Sequence, residues 1–208
     1  MYRRHFIRLA LAGLPLGAFA NGQSPVILVL GDSLSAEYGL ARGTGWVALL
    51  EKKFQAESIA GTVVNASISG DTTSGGRSRL AALLKTHQPD VVVIELGSND
   101  ALRGLPLSMT ESNLSAMAAA AQEAGAKVLL VGMQMPPNYG ADYANRFSAL
   151  FEKVAKERKT ALVPFMLKNV ADQPDALKLF QADRIHPSAE AHPTILGNIW
   201  PALKPLLK

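Results

Sequence analysis

The sequence predicts an α/β fold in which helices cover both faces of a parallel sheet. Short runs of aliphatic residues, typical of strands buried on both faces, alternate with longer stretches whose apolar residues recur every three or four positions. Strands joined through helices in this way form right-handed βαβ units, which build a parallel sheet. No repeat, low-complexity run or linker rich in Pro and Ser interrupts residues 21–208, so we expect a single domain there.

Five segments have the composition of strands. The first, 26–30, is entirely aliphatic, and the segment 90–96 is apolar on both faces for most of its length. A strand that is apolar on both faces, such as 90–96, belongs near the centre of a sheet. The predicted strands are 26–30, 61–66, 90–96, 126–133 and 161–165.

Five helices are predicted between and after these strands. Thr44 is the expected N-cap of the first helix, and Ser108 to Glu111 has the spacing of a capping box at the start of the Ala-rich third helix. Pro193 and Pro201 should bend or divide the last helix. The predicted helices are 44–57, 73–87, 108–123, 143–159 and 188–207.

Residues 1–20 predict a secretory signal peptide. Three arginines precede an apolar segment, 9–19, and the triplet Ala-Phe-Ala at 18–20 has the pattern of a cleavage site. The apolar segment is too short to cross a hydrocarbon core of about 30 Å as a helix, so we expect no stable membrane anchor. The pair Arg3-Arg4 resembles a twin-arginine signal, and both that route and ordinary secretion remain open. The expected location is periplasmic or secreted, in a bacterium.

Composition excludes several classes of site. The chain has no cysteine, which excludes disulfides, thiolate metal sites and a cysteine nucleophile. Without the first twenty residues, Lys and Arg fall from 21 to 18 against 17 acidic residues. No basic patch interleaved with aromatic residues remains, so we expect no nucleic-acid partner.

Small polar residues follow the first three predicted strands. Asp32 and Ser33 follow the first strand, Gly70 follows the second and Asn99 follows the third. Because the carboxyl ends of parallel strands meet at one edge of a sheet, we expect these residues to converge. Ser33 is therefore a candidate nucleophile, while Asp32 is expected to stabilise its own turn.

A candidate base stands ahead of the last helix. His186 follows Asp183 by three residues. A neutral imidazole can take the proton of the Ser33 hydroxyl, and a carboxylate on its other nitrogen fixes the tautomer. The negative oxygen of a tetrahedral intermediate needs donors, and the candidates are the N–H groups of Ser33 and Gly70 and the side-chain amide of Asn99.

Four blocks in this order resemble the SGNH (GDSL) hydrolase family, and more narrowly its periplasmic arylesterase, multifunctional thioesterase and lysophospholipase branch. The blocks are 31–35, 65–72, 97–100 and 183–187, and the resemblance spans residues 24–205. It implies a three-layer α/β/α, flavodoxin-like fold whose five-stranded parallel sheet has the order 2-1-3-4-5, with no metal or organic cofactor. It also implies a triad of Ser33, Asp183 and His186, and an oxyanion hole of Ser33, Gly70 and Asn99.

Apolar residues after the third and fourth strands are candidates for an acyl-chain site, although such residues also occur as plain core. The substrate-binding candidates are Leu102, Leu105, Met135, Pro136 and Tyr139. The expected protein is a monomeric secreted serine esterase that forms an acyl-enzyme on Ser33. Its substrates would be aryl or short-to-medium acyl esters, lysophospholipids and, as a further option, acyl thioesters.

Three alternatives remain open at the level of sequence. A carbohydrate acetyl-esterase would use the same triad with a more polar pocket. The Gly-Asp pairs at 31–32 and 70–71 suggest a metallophosphoesterase. Such a two-metal site needs several histidines and carboxylates together, and His186 is the one histidine expected near these pairs. A non-catalytic binding domain on the same scaffold is the third, because a fold does not determine a function.

Overall fold

The computed structural model describes residues 24–208 and contains a five-stranded, all-parallel sheet. The strand order is β2-β1-β3-β4-β5, which confirms the predicted α/β fold and its order. The predicted signal peptide, 1–20, lies outside the described residues. Across residues 24–208, no helix combines the length and the apolar character needed to cross a membrane.

Each predicted strand is present, trimmed by up to two residues at an end or extended by one. The strands are β1 (Val26–Gly31), β2 (Thr62–Asn65), β3 (Val91–Glu95), β4 (Lys127–Val131) and β5 (Ala161–Val163). The helices are α1 (Trp46–Ala56), α2 (Thr73–His87), α3 (Ser98–Leu102), α4 (Leu107–Glu123), α5 (Ala141–Arg158) and α6 (His192–Leu203). The short helix α3 replaces part of a predicted turn.

Two hydrophobic cores lie on opposite faces of the sheet. Successive side chains of a strand point to opposite faces. In β1, Leu28 and Leu30 pack with residues of α2, α4 and α5, whereas Ile27 and Val29 pack with residues of α1 and α6. The molecule is therefore a three-layer α/β/α sandwich, and helices bury both faces of its central strands.

The first helix begins at Trp46, and the prediction that Thr44 caps it is wrong. The Thr44 hydroxyl donates to the carbonyl of Ala41 at 2.7 Å. Gly45 is the N-cap residue, and its N–H donates to the Glu37 carboxylate at 2.7 Å. The N–H of Trp46 donates to Nδ1 of His192 at 2.9 Å, so side chains from two other segments accept the N–H groups at the start of α1.

The capping box at Ser108 is also wrong. Helix α4 already begins at Leu107, because the carbonyl of Pro106 accepts the N–H groups of Met109 and Thr110 at 2.9 and 3.3 Å. Ser108 therefore lies inside the first turn, where its side chain makes no cap.

The last predicted helix is divided, as expected. It consists of a 3-10 turn at Ala189–Ala191, the helix α6 and a second 3-10 turn at Lys204–Leu207. Pro193 lies in the first turn of α6, where a missing N–H costs nothing, and Pro201 lies within its last turn. Pro193 therefore lies at the start of the helix and does not bend it.

Candidate active site

The turn after β1 presents Ser33 at the carboxyl edge of the sheet. Asp32 accepts the N–H of Leu34 on its side chain at 3.0 Å and the N–H of Ala36 on its carbonyl at 2.9 Å. Asp32 therefore stabilises its own turn, as predicted. Within residues 24–208 the N–H of Ser33 donates no hydrogen bond, so it is free to meet a substrate oxygen.

Ser33, His186 and Asp183 form one continuous chain of hydrogen bonds. Ser33 Oγ lies 2.9 Å from His186 Nε2, and His186 Nδ1 lies 2.7 Å from Asp183 Oδ2. The other oxygen of Asp183 accepts the N–H groups of His186 and Ile185 at 3.0 and 2.9 Å. These two bonds, with that from the His186 ring, lower the pKa of Asp183 to about 2. The carboxylate is therefore ionised and can hold the proton of Nδ1 in place.

Two residues that the sequence analysis missed hold the His186 loop. The ring of Tyr38 lies 4.4 Å from the imidazole, centroid to centroid. The backbone N–H of Gln181 donates to the His186 carbonyl at 2.8 Å, and its side-chain amide donates to the carbonyls of Tyr38 and Pro187 at 2.9 and 3.0 Å. Neither residue carries a motif that could have revealed this, because each acts through contacts between distant loops.

The candidate oxyanion donors come from two further loops at the same edge. Gly70 has a φ of +80°, a conformation that favours glycine, and its carbonyl accepts from Arg103 at 2.7 Å. The N–H of Gly70, like that of Ser33, donates to no acceptor in residues 24–208. Asn99 lies in the first turn of α3 and donates one of its two amide hydrogens to Asp32 at 3.0 Å. The second hydrogen remains for a substrate oxygen, so the oxyanion role of all three donors stays a prediction that this placement supports.

Asp32 has a second contact that the sequence analysis did not foresee. Its carboxylate is buried and accepts both the Leu34 N–H and the amide of Asn99. Burial raises the pKa of Asp32 to about 6, while the bonds from Leu34 and Asn99 and the nearby His186 act to lower it. The group is ionised at neutral pH and orients Asn99 as well as its own turn.

One partly buried ion pair and a set of buried polar contacts fix the loops of Gly70 and Asn99. Asp71 pairs with Arg79 of α2 at 2.8 Å, beside Gly70. Asp100 has no exposed surface and accepts both the N–H and the hydroxyl of Thr73, while Asn113 of α4 donates to that hydroxyl at 3.1 Å. Asp71 and Asp100 therefore join separate elements, beyond the turn-stabilising role expected from their sequence positions.

The five substrate-binding candidates differ in exposure. Leu102 and Tyr139 are about 40% exposed, Pro136 is exposed and Leu105 is half-buried. Met135 is only 7% exposed and packs in the core on the α2, α4 and α5 face. Their role in substrate binding stays a prediction.

Metal chemistry has no obvious ligand set in this part of the chain. Among residues 24–208 no group of three or more His, Cys, Asp or Glu side chains is placed to hold a metal ion. The metallophosphoesterase alternative therefore lacks the ligands that it requires.

A hydroxyl joined through an imidazole to an ionised carboxylate is the arrangement that activates serine for attack on acyl groups. The protein is a serine hydrolase with an α/β fold. It belongs to the GDSL-like Lipase/Acylhydrolase family, whose family model matches residues 29–193, and the resemblance to SGNH (GDSL) hydrolases is thereby confirmed.

Relatives across most of the chain agree with this assignment. The chain is 52% identical over 181 residues to Esterase TesA of Pseudomonas aeruginosa, covering 87% of this chain and 89% of the relative. It is 42% identical over 194 residues to Thioesterase 1/protease 1/lysophospholipase L1 of Escherichia coli K12, covering 93% and 90%. A crystal structure of the psychrotrophic esterase EstA from Pseudoalteromonas sp., inhibited by monoethylphosphonate, matches with a TM-score of 0.82 and 40% identity over 88% of this chain and 98% of that one. The chain is thus an ester-hydrolysing enzyme.

Proposed function

We propose that the protein is a secreted serine esterase that forms an acyl-enzyme on Ser33. Its substrates are aryl or short-to-medium acyl esters and lysophospholipids, with acyl thioesters as a second class. The observation that carries the proposal is the hydrogen-bond chain of 2.9 and 2.7 Å from Ser33 through His186 to Asp183.

Acylation follows from this geometry. The Oγ of Ser33 attacks the ester carbonyl while Nε2 of His186 takes its proton. The negative oxygen that forms receives hydrogen bonds from the N–H groups of Ser33 and Gly70 and from Asn99. His186 then returns the proton to the leaving alcohol or thiol, the bond to the leaving group breaks, and the acyl group remains on Ser33.

Deacylation repeats the same steps with water. His186 Nε2 takes a proton from water, the hydroxide attacks the acyl carbon, and the proton passes to Ser33 Oγ as the carboxylic acid leaves. Throughout, ionised Asp183 stabilises the imidazolium that forms on His186.

Exposed apolar side chains around the catalytic edge support an acyl substrate. Each lies in a segment that follows a strand or carries His186, so we expect them to face the same edge of the sheet, and an exposed apolar patch is typical of a binding surface. They are Tyr38, Ile68, Leu102, Tyr139 and Ile185. The names of the relatives, which include lysophospholipase and thioesterase, support the same substrate classes.

The proposal is tested with p-nitrophenyl octanoate and the variants Ser33→Ala and His186→Ala. Each should lose activity by about a thousandfold or more, because the hydroxyl and its base act as a unit. Matched controls are Ser108→Ala and His87→Ala, which lie outside the site and should keep full activity. A fluorophosphonate should label Ser33 in the wild type and in the two controls, and it should label neither Ser33→Ala nor His186→Ala. Full turnover in Ser33→Ala or His186→Ala would refute the proposal.

Chain length separates this function from a carbohydrate acetyl-esterase. Octanoyl and butanoyl esters should be hydrolysed at least as fast as acetyl esters, because the exposed edge is apolar. Strong preference for acetylated sugars, with no turnover of octanoyl esters, would assign the enzyme to the acetyl-esterases.

We also propose that residues 1–20 are removed on export and that residues 21–208 form one monomeric hydrolase domain. The basic and apolar pattern of the first twenty residues supports export, and the unbroken run of elements supports one domain.

A further inference from the structure

A fully buried acid lies beneath the turn that carries the nucleophile. Glu95 ends the central strand β3, pairs with Gly31 of β1 and has no exposed surface. A methyl group added to Gly31 would lie 2.8 Å from Oε2 of Glu95, so the carboxyl group fills the space directly under the turn. Burying a carboxyl group is unfavourable unless it is hydrogen-bonded, and the acylation steps make no use of this one.

Glu95 is linked to the nucleophile turn and to α1. Its Oε2 accepts the hydroxyl of Ser35 at 2.7 Å and, at 3.4 Å, the backbone N–H of Asp32. The indole N–H of Trp46 donates to the Ser35 hydroxyl at 3.0 Å. Because an indole N–H only donates, the proton of Ser35 is left to point at Glu95. The contacts therefore form one buried chain from Trp46 through Ser35 to Glu95.

Charge favours a neutral Glu95. Burial, and then the negative charge of Asp32, raise the pKa of Glu95 well above its ordinary value. Of two adjacent buried carboxyl groups, the one with both oxygens hydrogen-bonded keeps the charge, and Oε1 of Glu95 has no hydrogen-bond partner among residues 24–208. Asp32 receives bonds from Leu34 and Asn99, and His186 lies near it. Glu95 therefore accepts hydrogen bonds as an uncharged acid.

We propose that Glu95 is a positioning residue for ester hydrolysis, which acts as a neutral hydrogen-bond acceptor and, through Ser35, fixes the turn that aims Ser33 at His186. The inference rests on the proposed role of Ser33 as the nucleophile. It accounts for the absence of a side chain at Gly31, where any Cβ would collide with both Glu95 and Ser35. It also gives a role to Ser35, which the sequence left without one.

Two substitutions of Glu95 separate acceptor from charge. Glu95→Gln keeps an uncharged acceptor of the same shape, so kcat at pH 7.5 should stay within about threefold of the wild type. Glu95→Leu has a similar volume and no acceptor. Its kcat should fall about ten- to hundredfold with KM unchanged, because a small displacement of a reacting atom costs rate and not binding. The rate at which a fluorophosphonate labels Ser33 should fall in parallel.

Ser35→Ala breaks the same link from the other side and leaves Glu95 intact. It should lower kcat as Glu95→Leu does, and the double variant should lose no more than the larger single loss, since the two residues form one chain. Urea unfolding of each variant should stay cooperative. If Glu95→Leu does not fold, Ser35→Ala decides the question.

The outcomes are distinct. Wild-type kcat in Glu95→Leu or in Ser35→Ala would overturn the positioning role, and so would a Glu95→Gln variant as slow as Glu95→Leu. Additive losses in the double variant would overturn the single chain. If the Ser33→Ala protein, assayed alongside, hydrolysed ester normally, the proposed nucleophile would be wrong, which is a different failure.

Discussion

At the residue scale, one carboxylate joins the two halves of the site. Asp32 accepts a hydrogen bond from the nucleophile turn, at Leu34, and another from the oxyanion loop, at Asn99. The same group therefore orients both the turn of Ser33 and the side-chain amide of Asn99, the predicted oxyanion donor. This arrangement has an energetic cost, because a buried carboxylate loses its hydration.

That cost predicts how stability depends on pH. Asp32 has an ordinary pKa of 3.8 in the unfolded chain and about 6 in the folded protein. The folded state therefore binds the proton more tightly, and stability falls as pH rises from about 4 to about 6. We expect the stability of the wild type relative to Asp32→Asn to decrease by up to about 3 kcal/mol over this range and then to level off.

Urea unfolding of both proteins between pH 4 and 8 measures this difference. Glu123→Gln, which removes an exposed acid at the end of α4, serves as a control for the general loss of an acidic group. If the wild type instead gained stability relative to Asp32→Asn as pH rises, the assigned ionisation of Asp32 would be wrong. Activity of Asp32→Asn should fall, because Asn99 loses a charged acceptor.

Asn99 and its neighbour Ser98 offer a matched pair. Asn99→Ala removes the predicted side-chain donor to the oxyanion and should lower kcat by about a hundred- to thousandfold, with KM little changed. Ser98→Ala removes a buried hydroxyl that has no hydrogen-bond partner among residues 24–208, so kcat should stay near that of the wild type. Steady-state kinetics on p-nitrophenyl butanoate decide the point, and equal losses in the two variants would exclude a specific role for the amide.

At the element scale, the position of the oxyanion loops depends on how closely α2 packs on the sheet. Gly76 in α2 meets Leu96, and an added Cβ there would lie 2.3 Å from the Leu96 Cδ1 and 3.4 Å from the Met117 sulfur. Because this helix begins directly after the Gly70 loop, its distance from β3 sets where that loop lies. Glycine is here a packing requirement and not a weakness of the helix.

Two helical glycines should therefore respond in opposite directions to the same substitution. Gly76→Ala should destabilise the protein by about 1–3 kcal/mol, since a tightly packed core resists added atoms. Gly197 in α6 has nothing within 4 Å of an added Cβ, so Gly197→Ala should stabilise by about 0.5–1 kcal/mol through helix propensity. Urea unfolding monitored by circular dichroism measures both, and stabilisation by Gly76→Ala would contradict the close approach.

At the scale of the whole molecule, every predicted catalytic and oxyanion residue lies in a segment that follows a strand at the carboxyl edge of the sheet, or in the loop before α6. Four separate loops are brought together because all five strands are parallel. The helical layers exclude water from both faces of the sheet, and the hydrogen-bonded Ser33, His186 and Asp183 lie at this edge. The site is thus a property of the topology, and no single segment contains it.

Export gives a prediction for the complete chain. Protein recovered from the periplasm should have the mass of residues 21–208 and begin at Asn21, since cleavage after a small residue is typical of signal peptides. Ala20→Leu should block cleavage and leave the longer chain. Replacing Arg3 and Arg4 together by lysine should abolish export only if the twin-arginine route is used. If the wild-type chain stayed uncleaved in the cytoplasm, the assignment of a signal peptide would be wrong.

The sequence by itself determined the five strands and, by resemblance, their order, and it predicted the set of Ser33, Asp183 and His186 that the structure joins by hydrogen bonds. The strands and the site candidates can be predicted because they depend on local patterns: aliphatic runs, turn residues at strand ends and a carboxylate one turn from a histidine. The strand order has no such local pattern and came from the resemblance to a family. The starts of α1 and α4 were misplaced where a carboxylate or a carbonyl from outside the pattern satisfied the helix terminus.

Only the tertiary structure decided the contacts that support the site. Asp32 meets Asn99, Gln181 meets Tyr38, and Glu95 meets Ser35, each across 60 or more positions in the chain. Such pairs leave no periodic or compositional signal, because whether two distant polar groups meet depends on sheet register and helix packing. That packing buries Asp32 and Glu95, and burial raises the pKa of both carboxyl groups. The electrostatics of the site therefore follow from the tertiary structure.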